Sequence, residues 1–449
     1  MREQLAIEGG KPVITDALPT IKNASGRLFG QEEKQAVLEV MEEGILCYTY
    51  GQRVRRFERE FAGLMGANHA VAVSSGTAAL HTAMVYLNPD PGDEILVPPI
   101  TDMGTVIAIL LQQAVPVFVD IDPLNQNMDP AEIEQHISSR TKAILPVHIY
   151  GSPADMDPIM EIARKRDLFV IEDCAQAHLT KYKGRLVGTI GDMGCFSFQQ
   201  SKHITTGDGG MVISNRDSEF GRELRLCFDK GWPRHKHVRD HYFLAPNYHM
   251  TELQAAVGIA QLAKYPACIE RRRESAFLLR DLLAEEDAIR PPGTLPDCEE
   301  TYFHYCFTFD RSRMLVDGEQ IVASLNAEGL ECELGYPGTV PLYMYPMIRD
   351  KKTYGSSGWP FDSPAARRIW SYDEGLCPEA EKACRRTVVL PWNEGLTEEH
   401  VNLIAAAIRK VFSAYKAAGD ADGPLVADAA GCWPAADQRK RHTEGLENV

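Results

Sequence analysis

Between residues 70 and 215 the chain switches repeatedly between short β-branched runs and helix-forming ones, and this alternation restricts the fold more than any other feature. The runs AVAVSS, EILVPPI, VPVFVDID, KAILPVHIY, LFVIEDC, MGCFSF and GGMVISN are short and bounded by turn residues, which predicts about seven strands. The intervening TVIAILLQQA, AEIEQHISSR and IMEIARKRD read as helices. Strands without polar alternation are covered on both faces. The expected class is therefore α/β, a mostly parallel seven-stranded sheet flanked by helices. Such sheets bind ligands beyond the carboxyl ends of their strands, where the polar clusters of this chain fall.

A long helical stretch from Met250 to Glu286 leaves this region with a bend expected near Pro266. The predicted organisation is an N-terminal arm and large domain over 1–265, a smaller α+β C-terminal domain over 266–415, and a disordered tail over 416–449, rich in Ala, Gly and Asp. In the small domain TYFHYCFTFD reads as strand, GEQIVASLNAEG and EEHVNLIAAAIRKVFSAY as helix. No stretch is long and apolar enough to span a membrane. The start MREQLAIEGGKPVITD lacks the pattern of a signal peptide, so a cytoplasmic protein without a membrane partner is expected. A net charge of −16 opposes nucleic-acid binding. RHKHVRD (Arg234 to Asp240), the one basic cluster worth naming, reads as a solvated loop or a grip on a phosphorylated substrate. The 11 cysteines form no C-x-x-C pair, which fits packed thiols in a reducing compartment and no metal site.

Three motifs carry chemistry. In SSGTAAL a strand ends at Ser74-Ser75, Gly76 permits a tight turn and Thr77 opens a helix whose free N–H groups suit an anion, although the same residues make an ordinary cap. LFVIEDCAQAH brings Glu172 and Asp173 to a strand's carboxyl end, followed by Gln176 and His178. A carboxylate there holds a positive ring nitrogen or caps a helix. In SFQQSKHITTGDGG, Lys202 is a solvated charge unless it is desolvated, when its amine becomes a nucleophile able to form a Schiff base. An anion cup, a carboxylate and a lysine together describe a pyridoxal phosphate site. Asp173 and Lys202 are separated by 29 positions (202 − 173), room for one further strand between them.

SSGTAAL, EDCAQAH, FSFQQSK, GDGGMV and NYHMTELQAAVGIAQL resemble the DegT/StrS-like sugar aminotransferases, a fold-type I pyridoxal phosphate family. LAIEGGKPV, VFVDIDP, VHIYGSPADMDPI and LPWNEGLTEEHV extend the likeness over about residues 5 to 415. The resemblance implies that Lys202 bonds the cofactor aldehyde, Asp173 partners the pyridine nitrogen and Gln176 the ring hydroxyl. It also implies that Gly76, Thr77 and Ser197 hold the phosphate, and that Asn247 reaches the phosphate of the neighbouring subunit in a homodimer with shared sites. The implied reaction moves an amino group from glutamate or glutamine to a nucleotide-linked keto sugar or a ketocyclitol such as scyllo-inosose. Two positions depart from the family pattern. Thr101-Asp102 stands where relatives carry an aromatic that stacks on the ring, leaving that role to Met103 or a new contact to Asp102. His249 stands where arginine is common. The alternatives are a sensor or scaffold that keeps the fold without turnover, and a sugar dehydratase. Dehydratases of this kind replace the lysine by histidine, whereas Lys202 is kept. Sulfur transfer would need a reactive thiol, and the nearest, Cys174 and Cys195, adjoin apolar strand positions. A dehydrogenase is disfavoured because no G-x-G-x-x-G follows a strand.

Overall fold

Each apolar run forms a strand because consecutive side chains, on both faces, find cover. In the computed structural model these are β1 (His69–Val73), β2 (Glu94–Val97), β3 (Val115–Phe118), β4 (Thr141–Ile144) and β5 (Phe169–Asp173). After a hairpin of β6 (Lys181–Tyr182) and β7 (Arg185–Leu186) come β8 (Met193–Ser197) and β9 (Gly210–Ser214). The structure describes residues 3–417 except 237–238, 292, 363, 365 and 367–369; the expected tail beyond 417 lies outside the described residues. One seven-stranded sheet runs in the order β1-β9-β8-β5-β4-β2-β3, with β9 antiparallel to both neighbours and the other strands parallel to one another. Ile95, Leu96 and Val97 are all fully buried, as two-sided cover requires. The register sets Asp173 opposite Cys195 and Ser197 opposite Gly210, so the ends of β5 and β8 and the start of β9 lie side by side.

A second antiparallel sheet follows: β10 (Ile289–Arg290), β11 (His304–Phe309), β12 (Glu333–Leu334) and β13 (Thr387–Pro391), in the order β10-β11-β13-β12. Its core joins Tyr305, Phe307 and Val388 to Leu279, Ile321 and Phe412 from three helices, Tyr265–Leu282, Gly318–Ala327 and Glu398–Tyr415. Leu5 and Ile14 from the N-terminal arm are buried in this same core. The helical stretch after Met250 is two helices, Glu252–Leu262 and Tyr265–Leu282. Pro266 sits in the first turn of the second, where a missing N–H leaves no bond unmade. Among the described residues no helix is long and apolar enough to cross a membrane.

Candidate active site

The carboxyl ends of β1, β2, β5 and β8 deliver one polar group each to a common region. After β1, Ser75 caps the helix Gly76–Leu87 by accepting the Ala78 N–H at 3.0 Å. The N–H groups of Gly76 and Thr77 are left pointing out of the helix start. A Cβ on Gly76 would stand 2.7 Å from the Ser197 Cβ and 3.0 Å from its Oγ, so only glycine lets the end of β8 approach so closely. Similarly, a Cβ on Gly104 would stand 2.5 Å from Thr77 Oγ1 and 3.0 Å from Asp102 Oδ1. A hydroxyl and a carboxylate thus flank one point beside an N-terminal helix turn.

Asp173, the last residue of β5, is buried, and Thr105 Oγ1 donates to its Oδ2 at 2.8 Å while the Ala175 N–H donates to Oδ1 at 3.0 Å. Thr101 Oγ1 lies 2.7 Å from Thr105 Oγ1, extending the hydroxyl relay. Burial still dominates, pushing the Asp173 carboxyl above its ordinary value against those two donors and the Lys202 charge. A carboxylate so desolvated gains from a further cation beside it.

Lys202 follows β8 in a turn closed by its own N–H donating to the Gln199 carbonyl at 2.9 Å. Its amine lies 4.2 Å from the centroid of the Phe303 ring. Burial pushes the amine down to about 8, with the opposing charges of Asp173 and Asp102 resisting the fall. At neutral pH a usable fraction is therefore unprotonated and nucleophilic. Gln176 is oriented at both ends: its Oε1 accepts the Tyr150 N–H at 2.9 Å and its Nε2 donates to the Tyr336 hydroxyl at 2.8 Å. Tyr150 adopts φ +59°, an unusual conformation for tyrosine that aims this N–H at the glutamine.

The structure thus gathers Gly76, Thr77, Asp173, Gln176, Ser197 and Lys202 at neighbouring strand ends. Asn247 is different: it is exposed, its Oδ1 accepts the His249 N–H at 3.4 Å, and its backbone bridges to Asp229. Asp229 also gathers Arg234, whose Nη2 donates to it at 2.9 Å, and His249 at 3.0 Å, so Arg234 of the basic cluster is engaged within the chain. Asp102 caps the helix Met103–Leu111 by accepting the Gly104 N–H at 2.8 Å, and its charge reaches Lys202, Asp173 and Tyr336. Met103 is half-buried against the main core. Sequence reasoning passed over Thr105, Tyr150 and Phe303, and left Tyr336 out of the site. Only the Thr near Asp102 could have been suspected, one helical turn into a strand-end helix.

Two other clusters are closed to chemistry. His148, Glu172 and Cys174 lie together with metal-like spacing. His148 Nδ1 accepts the Ala154 N–H at 3.0 Å, so Nε2 carries the proton that faces Glu172 at 3.1 Å, and Glu172 takes three backbone N–H groups besides. Burial pushes the thiols of Cys174 and Cys195 well above the ordinary range, away from the thiolate that sulfur transfer needs.

The donor set fits pyridoxal phosphate: a helix start whose Gly76 and Thr77 N–H groups have no partner among the described residues, with adjacent hydroxyls for the phosphate, a carboxylate wanting a cation for the pyridinium, and a desolvated amine for the aldehyde. Fold and site together define a pyridoxal phosphate-dependent transferase of fold type I. The chain belongs to the DegT/DnrJ/EryC1/StrS aminotransferase family, whose model matches residues 28–409. It is 37% identical over 396 residues to a Streptoalloteichus tenebrarius protein provisionally named L-glutamine:3-amino-2,3-dideoxy-scyllo-inosose aminotransferase, covering 84% of this chain and 92% of that one. It is 36% identical over 332 residues to the GDP-perosamine synthase of Caulobacter vibrioides, covering 73% and 87%. The solved aminotransferase of Psychrobacter cryohalolentis superposes with a TM-score of 0.77 at 30% identity, covering 86% of this chain and 98% of that one. The protein is an aminotransferase that uses pyridoxal phosphate.

Proposed function

We propose that the amino group passes from glutamate or glutamine to the carbonyl of a ketocyclitol such as scyllo-inosose or of a nucleotide-linked keto sugar, by a two-stroke exchange at one site. Pyridoxal phosphate, when bound, supplies an electron-withdrawing ring that stabilises negative charge on the substrate carbon. The chain's own residues do the rest. Lys202 would hold the aldehyde carbon through its amine and, with that amine free, would take the proton from the substrate carbon. Asp173 would keep the pyridine nitrogen protonated, with Thr105 donating to its Oδ2 and so fixing the carboxylate's orientation. Gln176, held by Tyr150 and Tyr336, would bond the ring hydroxyl. Gly76, Thr77 and Ser197 would hold the phosphate.

We further assign Asn247 to the site of a second copy. It is exposed and bonded to its own neighbours, and the surface carries exposed apolar side chains suited to a homodimer contact, among them Leu38, Met41, Tyr50 and Leu244. Ten described cysteines are free thiols, which supports a reducing, cytoplasmic setting. The observation that carries the reading is the Lys202 amine, desolvated over Phe303 and within reach of the charges of Asp173 and Asp102. Purified protein incubated with pyridoxal phosphate should absorb at the blue edge of the visible, and Lys202→Ala should abolish the band; identical spectra would refute the lysine's role. Bleaching of the band by glutamine or glutamate, then its recovery on adding scyllo-inosose or a nucleotide-linked keto sugar, identifies donor and acceptor.

A further inference from the structure

Beneath the Lys202 turn lies a buried group of charges that the reaction itself does not use. Arg27, from the N-terminal arm, donates from Nη1 to the Lys202 backbone carbonyl at 2.5 Å. The same nitrogen lies 3.6 Å from Glu394 Oε1, in the loop after β13. Glu394 Oε2 in turn accepts from Arg272 Nε at 3.1 Å, on the helix Tyr265–Leu282. Arg272 Nη1 donates to the carbonyls of Tyr302 at 3.2 Å and Trp392 at 2.7 Å. Tyr302 immediately precedes Phe303, whose ring the Lys202 amine faces.

Burial makes this arrangement costly. The three side chains are 1%, 2% and 0% exposed for Arg27, Glu394 and Arg272, so two cations share one carboxylate away from water. Arg27 Nε and Nη2 find no acceptor among the described residues, and desolvation pushes the guanidinium down to about 10. Replacing buried charges of this kind by apolar side chains of similar volume is often neutral or stabilising, so stability does not explain them. What the charges uniquely provide is a link between the backbone carbonyl of Lys202 and those of Tyr302 and Trp392.

We propose that Arg27, Glu394 and Arg272 form a positioning clamp that locks the main chain of Lys202 and the ring of Phe303 in register, so that the amine stays in its dry position over that ring. Arg27 and Arg272 touch no reacting atom; they act through Lys202 and Phe303. The clamp also makes the N-terminal arm and the loop after β13 part of the lysine's support, although neither lies near it in sequence.

The proposal rests on the reading of Lys202 as the cofactor lysine, and its test separates the two. In cofactor-free protein the Lys202 amine is titrated directly, by ¹³C NMR of the reductively methylated lysine against Lys202→Ala, and its rate of condensation with pyridoxal phosphate is followed across pH. Arg27→Met frees the Lys202 carbonyl and lets the amine reach water, so the titration midpoint should rise by about one pH unit. At pH 8 that cuts the unprotonated fraction, and the condensation rate with it, roughly fivefold. Arg27→Lys, which restores a cationic donor, should recover most of the loss. Glu394→Gln, close to isosteric, should shift the midpoint in the same direction and serves if Arg27→Met fails to fold. A folded Arg27→Met or Glu394→Gln protein with the wild-type midpoint and rate would overturn the clamp. Failure of the wild type to condense would instead overturn the cofactor reading.

Discussion

Lys202 shows how burial sets a residue's task. An amine at about 8 is half unprotonated near pH 8, and Asp102 and Asp173 are the charges that keep it from falling further. A carboxylate stabilises the ammonium form, so removing one lowers the midpoint. Asp102→Asn should therefore move the pH dependence of condensation below 8, measured on cofactor-free protein; an upward shift would show that Asp102 does not face the amine. The lysine's folded value lies below its ordinary one, so the folded protein carries fewer protons than the unfolded chain between about pH 8 and 10.5. Its contribution is a stability gained as pH rises through that window, and lost below it. Lys202, Asp173, Gln176, Ser197, Gly76 and Thr77 were readable because each sits within a few positions of a strand end. Tyr336 and Arg27 were not, and Thr105 only by its place in a strand-end helix: they reach Gln176, Lys202 and Asp173 from 160, 175 and 68 positions away. Only the folded chain brings such pairs together.

The end of β5 shows how one strand divides its labour. Glu172 and Asp173 are neighbours, and strand alternation sends them to opposite faces. Asp173 meets the site, while Glu172 turns to the segment before β8, accepting from Gly188 and Gly191 at 2.7 Å each and Ile190 at 2.8 Å. Glu172 thereby ties β5 to β8, the strands that carry Asp173 and Ser197. Glu172→Gln puts an amide N–H against a row of donors, and should lower unfolding stability by about 3 kcal/mol in a denaturant titration. A change near zero would mean the segment finds other acceptors. The seven strands were legible because their apolar runs have no polar alternation, and the helices between them because a sheet covered on both faces needs them. The helical stretch after Met250 was legible as helix but not as two elements. Pro266 is compatible with a helix's first turn, so proline alone could not distinguish a bend from a new start.

If Asn247 completes the neighbour's phosphate site, each centre is built from two chains. Mixing Lys202→Ala with Asn247→Ala subunits then leaves every hybrid dimer one intact centre, and random exchange should restore roughly a quarter of wild-type activity from two poor parents. No recovery beyond the sum of the parents would place Asn247 in its own chain's site. The N-terminal arm imposes order of another kind. Leu5 and Ile14 are buried in the small core, and Glu328 accepts the Ala6 and Val13 N–H groups at 2.8 and 3.0 Å while Lys410 holds the same carboxylate at 3.0 Å. The arm therefore docks on a carboxylate 322 and 315 positions further along the chain. Until those later elements have been synthesised the arm has no partner in the small core, so its docking has to follow their appearance.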